Sequence, residues 1–160
     1  MSGERSTLVL GVGNSLLSDD GVGLHVLDAV RARDLPPDIL LCDGGTIGLA
    51  LLGEVAAAAA LIAVDACNMG AAPGELRVFE GVAMDAMLRG TKRSAHEVAL
   101  ADLLDAARLT GALPAHRALV AIQPVSTEWG LEPTPEVAAA VPLAVDAVMH
   151  LHRTWSLTDA

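Results

Sequence analysis

Thirteen residues near the N-terminus constrain the fold more than any other part of the chain: Gly11-Val12-Gly13-Asn14-Ser15-Leu16-Leu17-Ser18-Asp19-Asp20-Gly21-Val22-Gly23. The apolar run Thr7-Leu8-Val9-Leu10 before them is of strand type. After them Val22, Leu24, Val26, Leu27 and Val30 recur at helical spacing, with Asp28, Arg31 and Arg33 between. The segment therefore reads as a strand, a glycine-rich turn and a helix whose start carries two carboxylates. Acidic groups are favoured at helix N-termini by the macrodipole. Asp19 and Asp20 can thus be caps and nothing more, unless the rest of the chain gives them partners.

The remaining chain repeats this alternation. Leu35-Pro36-Pro37-Asp38 breaks the first helix, and Ile39-Leu40-Leu41-Cys42 is a second apolar strand running into Asp43-Gly44-Gly45-Thr46. Thr46 is placed to cap a helix carrying Ile47, Leu49, Leu51 and Leu52. The alanines from Ala56 to Ala60 can finish that helix or begin the next strand, Leu61-Ile62-Ala63-Val64, which ends on Asp65. Leu76-Arg77-Val78-Phe79 alternates as an edge strand does. Met84, Met87 and Leu88 suggest one short helical turn, and Gly90-Thr91-Lys92-Arg93 reads as a mobile surface loop. Ser94-Ala95-His96-Glu97 has the spacing of a capping box, which puts His96 in the first turn of a helix through Leu104. Leu119-Val120-Ala121-Ile122 is a further buried strand ending at Gln123-Pro124. A final helix spans about Pro135 to His152, interrupted or kinked at Pro142.

Alternating strands and helices predict an α/β fold with parallel strands joined by right-handed crossovers. Residues 1–160 are expected to form one domain. A chain that is 52% hydrophobic, with a mean hydropathy of +0.48 and only 2% aromatic residues, suits a sheet whose central strands are apolar on both faces. No uncharged apolar run reaches the roughly 18 residues of a membrane span. Charged Glu4 and Arg5 lead directly into the first strand, so a signal peptide is not expected and a cytoplasmic location is. Ten basic residues against 20 acidic ones, a net charge of -10, disfavour nucleic acid as a partner. Cys42 and Cys67 lack zinc-cluster spacing and read as two buried thiols in a reducing compartment.

Ligands of such sheets collect at the carboxyl ends of the strands. Those ends here are the Gly11 to Asp20 turn, Asp43 to Thr46, Asp65 to Asn68, and Gln123-Pro124, with Ser94 to Glu97 at a neighbouring helix start. Among them Asp20, Asp65 and His96 offer two hard oxygen ligands and an imidazole, a set that suits a divalent transition ion. Each also has an ordinary explanation as a cap, a loop anchor or a surface residue. Gly11-x-Gly13 with Asp43 invites a dinucleotide-binding reading, but the third glycine of that fingerprint falls on Leu16. No Gly-x-Ser-x-Gly and no cysteine with an evident base is present. His25, His116, His150 and His152 are expected at surface or helix-end positions.

Taken in order, the pieces resemble the hydrogenase maturation endopeptidases. The resemblance rests on Gly11-Val12-Gly13-Asn14-Ser15 with Ser18-Asp19-Asp20-Gly21-Val22-Gly23, and on Asp43-Gly44-Gly45-Thr46. Val64-Asp65-Ala66, Pro73-Gly74-Glu75, the helix start at His96 and Ile122-Gln123-Pro124 extend it over roughly residues 8 to 150. It implies a twisted, mostly parallel five-stranded sheet between helices. It also implies an endopeptidase that trims the C-terminus of the [NiFe]-hydrogenase large-subunit precursor after nickel insertion. By motif, the metal-binding and catalytic positions fall on Asp20, Asp65 and His96, and Asp43, Gly44, Gly45 and Thr46 are expected to hold the extended substrate segment. The implied metal is nickel delivered in the substrate, or another divalent transition ion. A metal that polarises the scissile carbonyl and residues that only read the substrate's nickel remain alternatives. A monomer is expected. A non-catalytic nickel-precursor chaperone and a nucleotide-binding enzyme are the rival readings.

Overall fold

The protein was analysed as a computed structural model describing residues 6–45, 49–90 and 94–158. Strands β1 (Thr7–Gly11), β2 (Ile39–Asp43), β3 (Ala60–Ala66), β4 (Leu76–Glu80) and β5 (His116–Ile122) form one sheet in the order β2-β1-β3-β5-β4. All neighbours are parallel except β4, which pairs antiparallel with β5 at the edge. The central strands β1 and β3 are buried along their whole length, as their unbroken apolar runs require. The edge strand β4 is half-buried at Leu76 and Phe79 and exposed at Arg77, Val78 and Glu80, so the alternation expected of it is not kept in its burial.

Helices α1 (Val22–Arg31) and α5 (Pro135–Thr158) cover one face of the sheet. Helices α2 (Leu52–Ala57), α3 (Val82–Leu88) and α4 (Ala95–Leu109) cover the other. Among the described residues no helix is long and apolar enough to cross a membrane. The alanine run divides between the two expected uses: Ala57 ends α2 and Ala60 begins β3. Asp65 lies inside β3 rather than after it. Thr46 and Ile47, expected at a helix start, lie outside the described residues, as do Thr91 to Arg93 of the expected loop; among the described residues a 3-10 turn at Leu49–Leu51 precedes α2.

The expected break at Pro142 does not occur, since α5 runs unbroken across it. Val137, Ala140, Ala144, Val145 and Val148 are buried against the sheet, whereas Pro142 and Ala138 face solvent. Water can satisfy the Ala138 carbonyl that the proline leaves without a donor, while the buried stripe keeps the helix in place.

Histidine placement also differs from expectation. His152 is 4% exposed, with Nδ1 3.0 Å from Thr7 Oγ1 and Nε2 3.4 Å from Asp38 Oδ1, so it joins α5 to the start of β1. His116 stacks on Trp155 with ring centroids 5.3 Å apart. His25 is half-buried, and its Nε2 has no hydrogen-bond partner among the described residues.

Neither Asp19 nor Asp20 caps a helix: the 3-10 turn Ser18–Gly21 and α1 both begin without a side-chain cap bond. Asp19 is fully buried and holds the loop between β5 and α5. Its carboxylate accepts the Val125 and Ser126 amides at 2.8 and 3.0 Å, and the Thr134 amide and hydroxyl at 2.6 and 2.8 Å. Backbone bonds from Ser18 to Gly130 and from Gly130 to Leu16 fasten the same loop to the first turn. Burial pushes the Asp19 carboxyl up, but together the amides of Ser126, Thr134 and Val125 outweigh it and hold the group below 3.8. Asp19→Ala is expected to lower stability by about 2–3 kcal/mol, because buried amides lose a charged acceptor. The difference from wild type should be full above pH 3.8 and fade as the pH falls through the lower folded value, measurable as chemical denaturation midpoints across that range.

Candidate active site

The site is built where α1 begins, and glycine makes its geometry possible. A Cβ on Gly23 would lie 2.2 Å from the Val64 carbonyl oxygen and 2.3 Å from that of Val12. Gly13 has φ 131°, and a Cβ there would meet the Asp20 carbonyl oxygen at 1.9 Å. Only glycine tolerates both the dihedral and the contact. The helix start is thereby drawn against β1 and β3, which sets Asp20 above the end of β3.

Asp20 and His96 meet directly, with Oδ2 3.2 Å from Nε2. The Asn14 amide donates to the same Oδ2 at 3.0 Å, and the Asn14 side chain accepts the Leu16 amide at 3.0 Å. His96 hydrogen bonding, aided by the Asn14 amide, holds the Asp20 carboxyl below its ordinary range despite partial burial. The same bond raises the His96 imidazole above 6.5. The pair is a half-buried carboxylate and imidazole with side chains 17% and 24% exposed, open to a ligand from solvent.

Asp65 stands behind that pair at 1% exposure. Its Oδ1 is buried without a hydrogen-bond partner among the described residues. Burial pushes the carboxyl well above its ordinary range, and the Asp20 and Glu97 charges push it further. A buried, unsatisfied carboxylate oxygen requires either a proton or a cation beside it.

Cys67 and Glu97 were not expected here. Alternation along β3 places Asp65 and Cys67 on the same face, and Glu97 follows His96 in the first turn of α4. One ligand atom each from Asp65, Cys67 and Glu97 lie within 4.8 Å of one another, all buried. Ser94 accepts the Glu97 amide at 3.3 Å, as the capping spacing predicts. Burial pushes the Cys67 thiol well up, reinforced by the Asp65 and Glu97 charges. Cys67 is therefore not simply an apolar thiol, and Cys42 is only half-buried. The period-2 spacing of Asp65 and Cys67 carried the signal, but the sequence reading gave it no metal-ligand meaning.

The expected substrate loop flanks the pair. Asp43, Gly45, Asn14, Ser15 and His96 line an open cavity of 290 Å³. Asp43 is exposed and accepts the Gly45 amide at 2.8 Å, while Gly44 donates to the Gly11 carbonyl at 2.7 Å. Thr46 lies outside the described residues. On the other side Gln123 fixes the loop after β3: its Oε1 accepts the Met69 and Ala71 amides at 2.7 and 3.2 Å, and its amide nitrogen donates to Asn68 Oδ1 at 3.3 Å. Its adjacency to the expected site at the end of β5 was readable; its role as a loop anchor was not.

Known proteins place this geometry in a family. The sequence profile of the hydrogenase maturation proteases matches residues 24–151. The hydrogenase 2 maturation protease of Escherichia coli is 38% identical over 144 residues, covering 89% of this chain and 87% of that protein. A hydrogenase expression/formation protein HoxM of Cupriavidus necator is 35% identical, covering 92% and 74%. The hydrogenase maturating endopeptidase HybD of E. coli superposes with a TM-score of 0.88 at 37% identity, covering 93% of each chain. The [NiFe] hydrogenase maturation protease HybD of Thermococcus kodakarensis superposes with a TM-score of 0.79 at 27% identity, covering 91% and 98%. By profile, sequence and fold, this chain belongs to the hydrogenase maturation protease family.

Proposed function

We propose that the chain is the endopeptidase that removes the C-terminal extension of a nickel-loaded [NiFe]-hydrogenase large-subunit precursor, and that Asp20, Asp65 and His96 read the nickel held by that substrate. The observation that supports the metal assignment is the buried Asp65 Oδ1, which has no hydrogen-bond partner among the described residues and lies behind the Asp20–His96 pair. Two carboxylates and an imidazole are hard and borderline donors, the set that suits a divalent transition ion. A nickel ion held by these residues would also supply Lewis acidity to a neighbouring scissile carbonyl, if its part goes beyond recognition. Asp20 lies nearer to solvent than Asp65 and is the carboxylate able to take a proton from an attacking water. Asp43, Gly44, Gly45 and Thr46 hold the extended segment, the glycines allowing close backbone approach.

The gating follows from the same chemistry. A precursor without nickel offers no cation to the unsatisfied Asp65 oxygen, so it forfeits the bonds that would hold its C-terminus over the site. Purified protein incubated with matched precursors should shorten the nickel-loaded form and leave the nickel-free form intact on a denaturing gel. Equal cleavage of both would remove the gating role. Binding of the loaded precursor without cleavage would make the protein a chaperone, and saturable NAD or ATP binding would favour the nucleotide reading.

Asp20→Asn and His96→Ala are each expected to lower kcat/KM by more than about 100-fold, since losing a group that only orients a metal ligand already costs 10–100-fold. Asp20→Glu keeps the carboxylate and should retain measurable activity. All three should melt within a few degrees of wild type, as expected for half-exposed positions. Wild-type activity in Asp20→Asn would reduce Asp20 to a residue of the turn.

A further inference from the structure

Beside the proposed site lies a cavity that none of the roles above uses. It has a volume of 390 Å³ and is walled by Met69, Phe79 and Met87, with Asn68 and Arg77 at its polar margin. The sheet register fixes its relation to Asp65. Asp65 on β3 pairs with Ala121 on β5, and Ala121 pairs with Arg77 on β4. The three residues therefore form one row across the α3–α4 face, Asp65 and Arg77 two strand spacings of about 4.8 Å apart. Phe79 projects from β4 on the same face as Arg77. The cavity therefore lies along the row that carries Asp65, with the buried Ala121 as the intervening residue. Gln123 holds its rim, because both amides it accepts belong to Met69 and Ala71.

From this placement we infer that the cavity is a specificity pocket, taking an apolar side chain of the precursor from a residue that flanks the scissile bond. The inference rests on the protease reading and adds to it what the enzyme selects besides nickel. Three features fit that occupant. The volume is near the lower end of the roughly 300–1,000 Å³ of small-ligand pockets, which suits one side chain with its backbone rather than a cofactor. Two of the three apolar walls are methionines, whose unbranched thioethers adapt to aliphatic shapes. Arg77 is already paired with Glu75 at 2.6 Å, so the margin carries little unpaired charge to attract an ionic side chain. The polar cavity lined by Asp43 and His96 lies toward β2, and this apolar one toward β4. An extended peptide crossing the strand ends meets the two on either side of Asp20, Asp65 and His96.

The test compares nickel-loaded precursors carrying leucine or lysine at each residue flanking the scissile bond. At one of those positions the wild type should prefer leucine by at least about tenfold in kcat/KM, the discrimination a single apolar pocket supplies. Met87→Glu, at a half-buried wall position, should narrow or reverse the ratio at that position and leave the other position unchanged. Met87→Ala, which only enlarges the pocket, should raise the relative kcat/KM for phenylalanine there; it carries the test if the charged variant does not fold. Leucine-to-lysine ratios equal in wild type and variants at every position would overturn the pocket while leaving the protease reading intact. No cleavage of any loaded precursor by the wild type would remove both.

Discussion

The approach of the first helix to the sheet is the constraint on which the rest depends. With Gly23 packed against the Val12 and Val64 carbonyls and Gly13 folded under Asp20, the turn from β1 to α1 has one position available. That position sets Asp20 over β3 and, through the Asn14 amide, fixes its oxygen toward His96. It also drives Asp19 in the opposite direction, into the amides of the β5–α5 loop. Adjacent carboxylates thus do different work: one holds the β5–α5 loop and the other pairs with His96. Neither outcome needs flexibility in the turn, and both would be lost if a side chain forced the helix outward.

What the turn assembles is electrostatically uncomfortable. Asp20 and Glu97 both press on Asp65, and Asp65 and Glu97 on Cys67, with His96 the only basic group among those that shift the acids. A folding sequence normally avoids a buried carboxylate oxygen without a donor, because its desolvation is not repaid. Local rules that fail in an otherwise consistent fold tend to fail at functional sites. Either a proton or a neighbouring cation relieves the imbalance, and the proposed reading assigns that part to the cation.

The sequence made the framework legible because its signals are local. Apolar runs ending on Asp43, Asp65 and Gln123 named the strands, and parallel topology brought their ends to one edge. Asp20 and His96 could be paired before their contact was visible, since both stand at helix starts on that edge. What stayed hidden depends on distant partners. Asp19 is bound by residues more than 100 positions away, and a helix-capping role was the only local account of it. His152 reaches Thr7 across 145 residues. Pro142 is tolerated because its side of α5 faces water, a property of packing rather than of the tripeptide around it. The Asp65–Ala121–Arg77 row exists only once three strands are in register.

The two sides of the site differ in what they are made of. The β2 side is made of backbone: the Asp43–Gly45 turn, the Gly44 bond to Gly11, and the Asn14 amide. The Gly44, Gly45 and Asn14 amides are spent inside the protein, on Gly11, Asp43 and Asp20, so they fix the shape of this wall. The β4 side is made of side chains, two of them methionine, and side chains read side chains. If the pocket proposed above takes a side chain, its methionine walls would accept modest variation there, while the bonded turn on the other flank limits where a main chain can run. In the proposed reading Asp20, Asp65 and His96 stand between the flanks, so path, side chain and cation would be tested together. A conjunction of three requirements discriminates between chains more sharply than any one of them.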